Sequence, residues 1–217
     1  MRSLLLAPRE HERLAAALEG VDAPVYLADR TLMAQVAGFD VHRGALAAAD
    51  RFAPSDAADA IRDARRVLVL EGSSSLENIG GAFRNAAAFG FGAVLLDPAC
   101  GDPLGRRPVR VSAGHTLTVP FARLSELPEG LAPLRAAGLE LVALTPAPDA
   151  EPLAALRPSA TDRVALLAGA EGPGLRPATL AAADRRVRIP LAPGVDSLNL
   201  AVAAAVAMHH VSGLDTG

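Results

Sequence analysis

The chain has 217 residues, of which 51% are hydrophobic, 21% are charged and 3% are aromatic, and its formal net charge is -3. The apolar fraction excludes global disorder, and the length is that of one large domain or two small ones. The weak negative charge argues against general electrostatic attraction to nucleic acid, and the scarce aromatic residues argue against stacking platforms for single strands.

All 21 basic residues are arginines, because the sequence contains no lysine. A GC-rich coding bias is the simpler explanation, since Ala, Gly and Pro are abundant as well. The missing lysine excludes a P-loop. Cys100 is the single cysteine, so neither a disulfide nor a cysteine zinc site is expected, and the histidines show no metal-binding spacing. From the cysteine usage we expect a metal-free cytoplasmic protein. No apolar run reaches membrane-spanning length, and the start does not resemble a signal peptide.

The N-terminal quarter of the chain reads as a small α/β piece. Its predicted elements are a strand at 3–7, helix Pro8–Leu18, strand Val25–Leu27, helix Thr31–Val36 and a strand-like stretch at 38–49. The polar segment 51–55 is a predicted linker.

Beyond this linker, apolar strands alternate with helices. We predict strands at 67–72, 93–97, 139–146, 163–175 and 188–191, and helices at 79–89 and 197–211. Strands that are apolar on both faces and alternate with helices predict a parallel sheet covered on both sides. The expected domains are an N-terminal piece at 1–52 and an α/β domain at 60–217.

Three loops after predicted strands are rich in Gly, Ser, Asn and acidic residues: EGSSSLENIGG, GAEGPG and PLAPGVDSLN. Because ligands bind at the carboxyl ends of parallel strands, we expect these loops to form the site. Neither a dinucleotide fingerprint nor a GxSxG elbow is present. Taken singly, the polar residues of the loops have ordinary explanations: Asn78 can cap the helix that carries Arg84, Glu171 can be a turn acid, and Ser197 and Asn199 can open the last helix.

Taken together, three ordered segments resemble the motifs of the SpoU/TrmH family of RNA ribose methyltransferases, in the knotted SPOUT superfamily. The segments are NIGGAFRNAAAFGFGAVLLD (78–97), LLAGAEGPGL (166–175) and VRIPLAPGVDSLNLAVAAAVA (187–207). Segment 110–124 resembles the family's connecting stretch, and 28–47 resembles the end of its N-terminal RNA-binding domain. Family members with that domain usually have several dozen more residues before the position of Met1, so a partial, truncated domain is expected here.

The resemblance implies a parallel sheet with a C-terminal trefoil knot that binds S-adenosylmethionine. Backbone groups of the second and third motif loops would hold the adenine and ribose. The implied cofactor-binding residues are Gly169, Gly172, Ile189, Leu191 and Leu198, with Leu144 and Thr145 as further contacts. Loops rich in Gly and Pro suit this task because they expose backbone hydrogen-bonding groups. No metal is implied, because the sulfonium of the cofactor already activates the methyl group.

The resemblance also implies methyl transfer to a ribose 2′-hydroxyl, with Arg84, Asn78, Glu171, Ser197 and Asn199 as the catalytic residues. Two roles are open for Arg84: a general base, as proposed for the family, or a phosphate clamp. The clamp is physically easier, because a guanidinium stays protonated at neutral pH. Asn78 and Asn199 are expected to orient the substrate and hold the loops. Glu171 is expected to accept hydrogen bonds from Arg84 or from loop amides.

The implied partners are RNA, with ribosomal RNA favoured over transfer RNA, and a second copy of the chain. In this family the last helix contributes to a homodimer whose two subunits build the active sites. Two arginine clusters, 106–110 and 185–188, either pair with acids on solvated faces or contact phosphates. His115 is either a surface residue or an RNA contact.

Three alternative functions stay open on the same fold. They are a non-catalytic RNA-binding or ribosome-assembly factor, a transfer RNA ribose methyltransferase and an enzyme that methylates a base nitrogen.

Overall fold

A computed structural model describes residues 1–53, 55–157 and 162–212. The chain forms two compact units, Met1–Ala53 and Pro54–Gly217. Pro54 of the predicted linker, and residues 158–161 and 213–217 of the predicted second domain, lie outside the described residues.

The N-terminal unit is a three-stranded sheet with two helices. Its elements are β1 (Ser3–Leu6), α1 (Pro8–Leu18), β2 (Val25–Leu27), α2 (Arg30–Ala37) and β3 (Ala45–Ala48). Strand β1 is central, parallel to β2 and antiparallel to β3. Asp29 begins α2 by accepting a hydrogen bond from the Leu32 amide at 2.8 Å. All elements predicted for this region are present, and the stretch predicted at 38–49 forms a strand only in its second half.

The C-terminal unit is an α/β fold. Its elements are α3 (Ala57–Ile61), β4 (Arg66–Glu71), α4 (Leu76–Ala88), β5 (Ala93–Leu96), α5 (Arg106–Val111), β6 (Phe121–Arg123), α6 (Ala132–Ala136), β7 (Glu140–Leu144), β8 (Glu151–Pro152), β9 (Val164–Gly169), α7 (Pro177–Ala182), β10 (Arg185–Arg188) and α8 (Leu200–Ser212). The seven strands pair in the order β6-β5-β4-β9-β7-β10-β8. Every pairing is parallel, so the predicted parallel sheet is confirmed.

Both faces of this sheet are buried. Along β4, Leu68 and Leu70 point into one hydrophobic core, whereas Val67 and Val69 point into the other. This alternation follows the two-residue period of a strand, and it explains the continuous apolar run in the sequence.

Short elements were missed by the sequence prediction, and several boundaries were wrong. The missed elements are β6, β8, α3, α5, α6 and α7, each of six residues or fewer. The strand expected at 188–191 lies instead at Arg185–Arg188, because Val187 is its fully buried residue and Pro190 cannot donate to a ladder.

Two helices begin elsewhere than predicted. Helix α4 begins at Leu76, and Ser75 caps it by accepting a hydrogen bond from the Asn78 amide at 3.3 Å, so Asn78 is not the cap. Helix α8 begins at Leu200 rather than at residue 197. Its cap is Asn199, whose Oδ1 accepts hydrogen bonds from the amides of Ala201 at 3.0 Å and Val202 at 3.2 Å.

Candidate active site

The site lies at the carboxyl ends of the central strands. Strand β9 is inserted between β4 and β7, and the last residues of β4 and β9, Glu71 and Gly169, are paired in register. A cavity of about 440 Å³ opens beside them. The position agrees with the rule that ligands bind where the strand order reverses.

All seven residues predicted to bind the cofactor line this one cavity. They are Leu144, Thr145, Gly169, Gly172, Ile189, Leu191 and Leu198. Three predicted catalytic residues, Glu171, Ser197 and Asn199, line it as well. The loops after β7, β9 and β10 therefore converge as the sequence predicted.

Gly169 is required where the second loop turns back over the end of β9. The Gly174 amide donates to the Ala170 carbonyl at 3.0 Å, which closes the turn. A Cβ atom on Gly169 would overlap the backbone of Gly174 and Leu175. Only glycine allows this close approach of the two backbones.

The Asn199 side chain joins all three motif loops. Its Nδ2 donates to Asn78 Oδ1 at 2.9 Å and to Glu171 Oε1 at 2.7 Å. The orientation of this amide is fixed, because its Oδ1 already accepts the two helix-capping hydrogen bonds. Asn78 is 4% exposed, whereas Glu171 and Asn199 are exposed toward the cavity. The expectation that Glu171 accepts from Arg84 or loop amides was wrong: its hydrogen-bond donor is Asn199.

Helix α4 divides the predicted catalytic residues between two faces. Asn78, Gly81 and Asn85 face α8: a Cβ on Gly81 would lie 2.9 Å from Ala201 Cβ, and Asn85 Nδ2 donates to the Ala201 carbonyl at 2.9 Å. The positions 77, 80 and 84 share another face, since their spacing is three and four residues.

Arg84 lies on this second face, beside α5. A Cβ on Gly80 would lie 2.7 Å from Val111 Cβ, so α5 packs directly against the face. The Arg84 side chain is exposed and is not among the residues that line the cavity. Within the described residues it makes no hydrogen bond or ion pair. Arg84 is therefore free to contact a substrate.

A buried network that the sequence prediction missed anchors the second loop. Glu71, 3% exposed at the end of β4, accepts hydrogen bonds from Arg176 Nε at 2.6 Å, the Arg176 amide at 2.8 Å and Thr179 Oγ1 at 2.7 Å. The hydrogen bond to Glu71 raises the pKa of the Arg176 guanidinium above its ordinary value. This network ties the loop after β9 to the neighbouring strand.

The loop after β5 is held by a second polar cluster. Asp97 Oδ1 accepts from three backbone amides, and the Arg123 guanidinium donates to the carbonyls of Asp97, Cys100 and Gly101. Burial, followed by the hydrogen bond with Asp97, raises the pKa of the Cys100 thiol to about 12. Cys100 is thus a packed, unreactive thiol.

The arginines at 185–188 make contacts within the protein, and two of the three pair with acids, as one of the two interpretations of this cluster predicted. Arg185 binds Glu151 at 2.6 Å, Arg186 binds Asp149 at 2.9 Å, and Arg188 donates to the Ala150 carbonyl at 3.1 Å. The hydrogen bond from Arg185 lowers the pKa of Glu151. These contacts attach the segment around β8 to β10.

Among the described residues, no group of three or more His, Cys, Asp and Glu side chains could hold a metal ion. In the same part of the chain, no helix is long and apolar enough to cross a membrane.

Comparison with known proteins identifies the family of the chain. Residues 65–209 match the model of the SpoU rRNA Methylase family. An uncharacterized tRNA/rRNA methyltransferase of Mycobacterium tuberculosis is 49% identical over 193 residues, which are 88% of this chain and 67% of that protein. The 23S rRNA (guanosine-2′-O-)-methyltransferase RlmB of Escherichia coli is 29% identical over 94% of this chain and 86% of its own length.

The fold of the chain is also similar to that of a solved methyltransferase structure. The crystal structure of an AdoMet-bound rRNA methyltransferase from Sinorhizobium meliloti superposes with a TM-score of 0.81 and 23% identity, covering 100% of this chain and 81% of that one.

The matches to the family model and to the M. tuberculosis relative identify an RNA methyltransferase. The chain belongs to the SpoU rRNA methylase family, and the family predicted from its three motifs is confirmed.

Proposed function

We propose that this chain transfers the methyl group of S-adenosylmethionine to a ribose 2′-hydroxyl of RNA. The observation that carries the proposal is the hydrogen-bonded group Asn78–Asn199–Glu171, in which Asn199 and Glu171 line the cavity. The relatives support the chemistry, because RlmB of E. coli is named a guanosine-2′-O-methyltransferase.

The residues present fit the cofactor. A cavity of about 440 Å³ is within the range of small-molecule sites, and Leu144, Ile189, Leu191 and Leu198 give it apolar walls suited to adenine. Gly169 and Gly172 bring backbone groups to its edge. When bound, the cofactor supplies an activated methyl group. We further propose that the segment from β10 to α8 is knotted, as in the family.

The protein contributes orientation and charge. The Asn199 amide holds Asn78 and Glu171 in one arrangement, and alignment of this kind lowers the barrier of a bimolecular step. Ser197 lies exposed at the cavity and is available to hydrogen-bond the RNA. We assign Arg84 the role of a clamp on the phosphate beside the target ribose, because its guanidinium stays charged at neutral pH.

The proposed substrate is ribosomal RNA. The RlmB relative supports it, and the M. tuberculosis relative, named for tRNA or rRNA, keeps transfer RNA as the alternative. We propose that residues 1–52 of the N-terminal unit serve RNA recognition and that 60–217 is the catalytic domain. A cytoplasmic location follows from this substrate and is part of the proposal.

We also propose that the chain acts as a homodimer. Helix α8 exposes Val202 (50%) and Val206 (41%) at a four-residue spacing, and its opposite face packs on the sheet and α4. An apolar stripe of this kind suits a second copy of the same helix. Because Arg84 lies on a different face of α4 from Asn78, we propose that the active sites are built from both subunits.

Calorimetry with S-adenosylmethionine separates the enzyme from a non-catalytic RNA-binding or ribosome-assembly factor. We expect saturable binding that is weakened when Gly169 is replaced by a larger residue. Absence of binding by the purified protein would favour the non-catalytic factor. Mapping 2′-O-methyl sites on RNA from cells with and without the gene then identifies the substrate.

A further inference from the structure

Helix α5 exposes three arginines, Arg106, Arg107 and Arg110, which we call the α5 arginine surface. The helix contains no acidic residue. Arg107 remains 67% exposed although it pairs with Glu77 of α4. Arg110 makes no hydrogen bond or ion pair within the part of the chain that the structure describes. Positive charge is therefore displayed to solvent along the helix.

This surface adjoins the face of α4 that carries Arg84. Gly80 allows α5 to approach closely, since a Cβ there would lie 2.9 Å from the Pro108 carbonyl oxygen and 2.7 Å from Val111 Cβ. Glu77, the partner of Arg107, directly precedes Asn78, whose side chain binds Asn199. Arg84 lies on the same face of α4 as Glu77 and Gly80. The α5 arginine surface thus continues the face that presents Arg84.

The second arginine cluster provides a contrast within the same unit. Arg185 and Arg186 are neutralised by Glu151 and Asp149. Their charges serve contacts inside the protein, whereas on α5 Arg107 stays 67% exposed beside Glu77 and the side chain of Arg110 makes no hydrogen bond or ion pair within the described residues. Two clusters with the same composition in the sequence therefore differ in the charge they offer to a ligand.

We propose that the α5 arginine surface binds backbone phosphates of the RNA on its approach to the active site. The proposal rests on the RNA methyltransferase function proposed above. Guanidinium groups match phosphate oxygens in pairs and keep their charge at all relevant pH values. Phosphate contacts position an RNA without reading its sequence, so the surface is expected to contribute affinity and register rather than target choice.

The salt dependence of RNA binding tests the proposal. The probe is a short, fluorescein-labelled single-stranded RNA of mixed sequence, and its dissociation constant is measured by anisotropy at several salt concentrations. In the double variant Arg107→Gln/Arg110→Gln, the slope of log affinity against log salt should fall in magnitude by about 0.7 for each arginine. The double variant Arg185→Gln/Arg186→Gln loses the same net charge and should keep the wild-type slope.

The proposal would be overturned if the salt slope of the α5 variant were unchanged, or if the slope of the control variant fell by the same amount. Calorimetry with S-adenosylmethionine on the same proteins reports on the proposed function separately. If the α5 variant keeps the cofactor affinity of wild type and shows a reduced salt slope, the result supports phosphate binding by the α5 arginine surface. If wild-type protein neither binds the cofactor nor methylates RNA, the proposed function fails while the slopes still test the surface. If the double variant does not fold, the single variant Arg110→Gln applies the same test, because this exposed side chain makes no hydrogen bond or ion pair within the described residues.

Discussion

Asn199 Nδ2 donates to Asn78 Oδ1 at 2.9 Å, which joins the start of the last helix to the first turn of α4, 121 residues away in the sequence. The same nitrogen donates to Glu171, so one amide group sets the relative position of three loops. Its own orientation is imposed by its capping of α8. We therefore regard Asn199 as the residue that organises the site.

Replacing Asn199 by Asp separates the two roles of this residue. An aspartate still caps α8, because carboxylates are good N-caps. It lacks the Nδ2 donor and places an oxygen against Asn78 Oδ1 and Glu171 Oε1. We expect kcat to fall by about 100-fold or more, the cost of misplacing reacting groups by about 1 Å.

The matched control is Asn85→Ala on the same face of α4. It removes the hydrogen bond to the Ala201 carbonyl away from the cavity, so unfolding in urea should show a loss of about 1 kcal/mol with kcat unchanged. Wild-type turnover in Asn199→Asp, or an equal loss of kcat in Asn85→Ala, would contradict the role given to Asn199.

Arg84→Ala should abolish methyl transfer and leave the affinity for S-adenosylmethionine close to wild type. The reason is that Arg84 does not line the cofactor cavity and has no partner within the described residues. Turnover and calorimetry on one protein preparation check both statements. A clamp role further predicts that Arg84→Lys keeps part of the turnover, because lysine also binds phosphate as a point charge. Full activity in Arg84→Ala would remove this residue from the mechanism.

Gly169→Ala should weaken cofactor binding by about tenfold or more, because overpacking of this kind costs about 1–3 kcal/mol. The added Cβ overlaps the backbone of Gly174 and Leu175, so the loop must move. Gly90→Ala is the control: its φ is +68° and nothing lies within 4 Å of the added atom. It should lose about 1 kcal/mol of stability through backbone strain while binding the cofactor normally. Equal cofactor affinities for the two variants would show that the close approach at Gly169 is unimportant.

The stability of the protein should fall in alkali through Cys100. Its pKa is raised to about 12 in the folded state, from 9.0, so between these values the unfolded chain releases a proton that the folded chain retains. The stability conferred by the neutral thiol is complete below about pH 9 and is lost as the pH rises toward 12, at about 1.4 kcal/mol per pH unit. Lysine and tyrosine are the other side chains that ordinarily titrate in this pH range. The sequence has no lysine and one tyrosine, so the contribution of Cys100 is measurable.

Urea unfolding at a series of pH values tests the thiol, and Cys100→Ala should show a flatter profile than wild type. Identical profiles for the two proteins would contradict the burial of a neutral thiol.

Much of the fold follows from local pattern. The apolar runs of β4, β5, β7 and β9 are typical of strands buried on both faces, and the glycine-rich loops after them mark the site. Strands such as β8 escape prediction because two residues carry no periodicity. The last helix was predicted too early, because Ser197 and Asn199 are both good caps, and tertiary contacts to Asn78 and Glu171 decide between them.

The hydrogen-bond network around Glu71 could not be predicted from the sequence for a different reason. Its partner Arg176 is 105 residues away, and an acid at the end of an apolar strand reads as the start of a loop. The two arginine clusters were indistinguishable for the same reason, since the acids that neutralise one of them come from the distant segment around β8. Pairing of charges is a tertiary property, and only the structure assigns it.

The most direct test of the proposed function is to incubate the protein with labelled S-adenosylmethionine and ribosomal RNA, digest the RNA to nucleosides and identify the labelled product by mass spectrometry. We predict a single 2′-O-methyl nucleoside, formed by wild-type protein and absent with Asn199→Asp. Label on a base, or no labelled nucleoside from ribosomal RNA that lacks the modification, would contradict it.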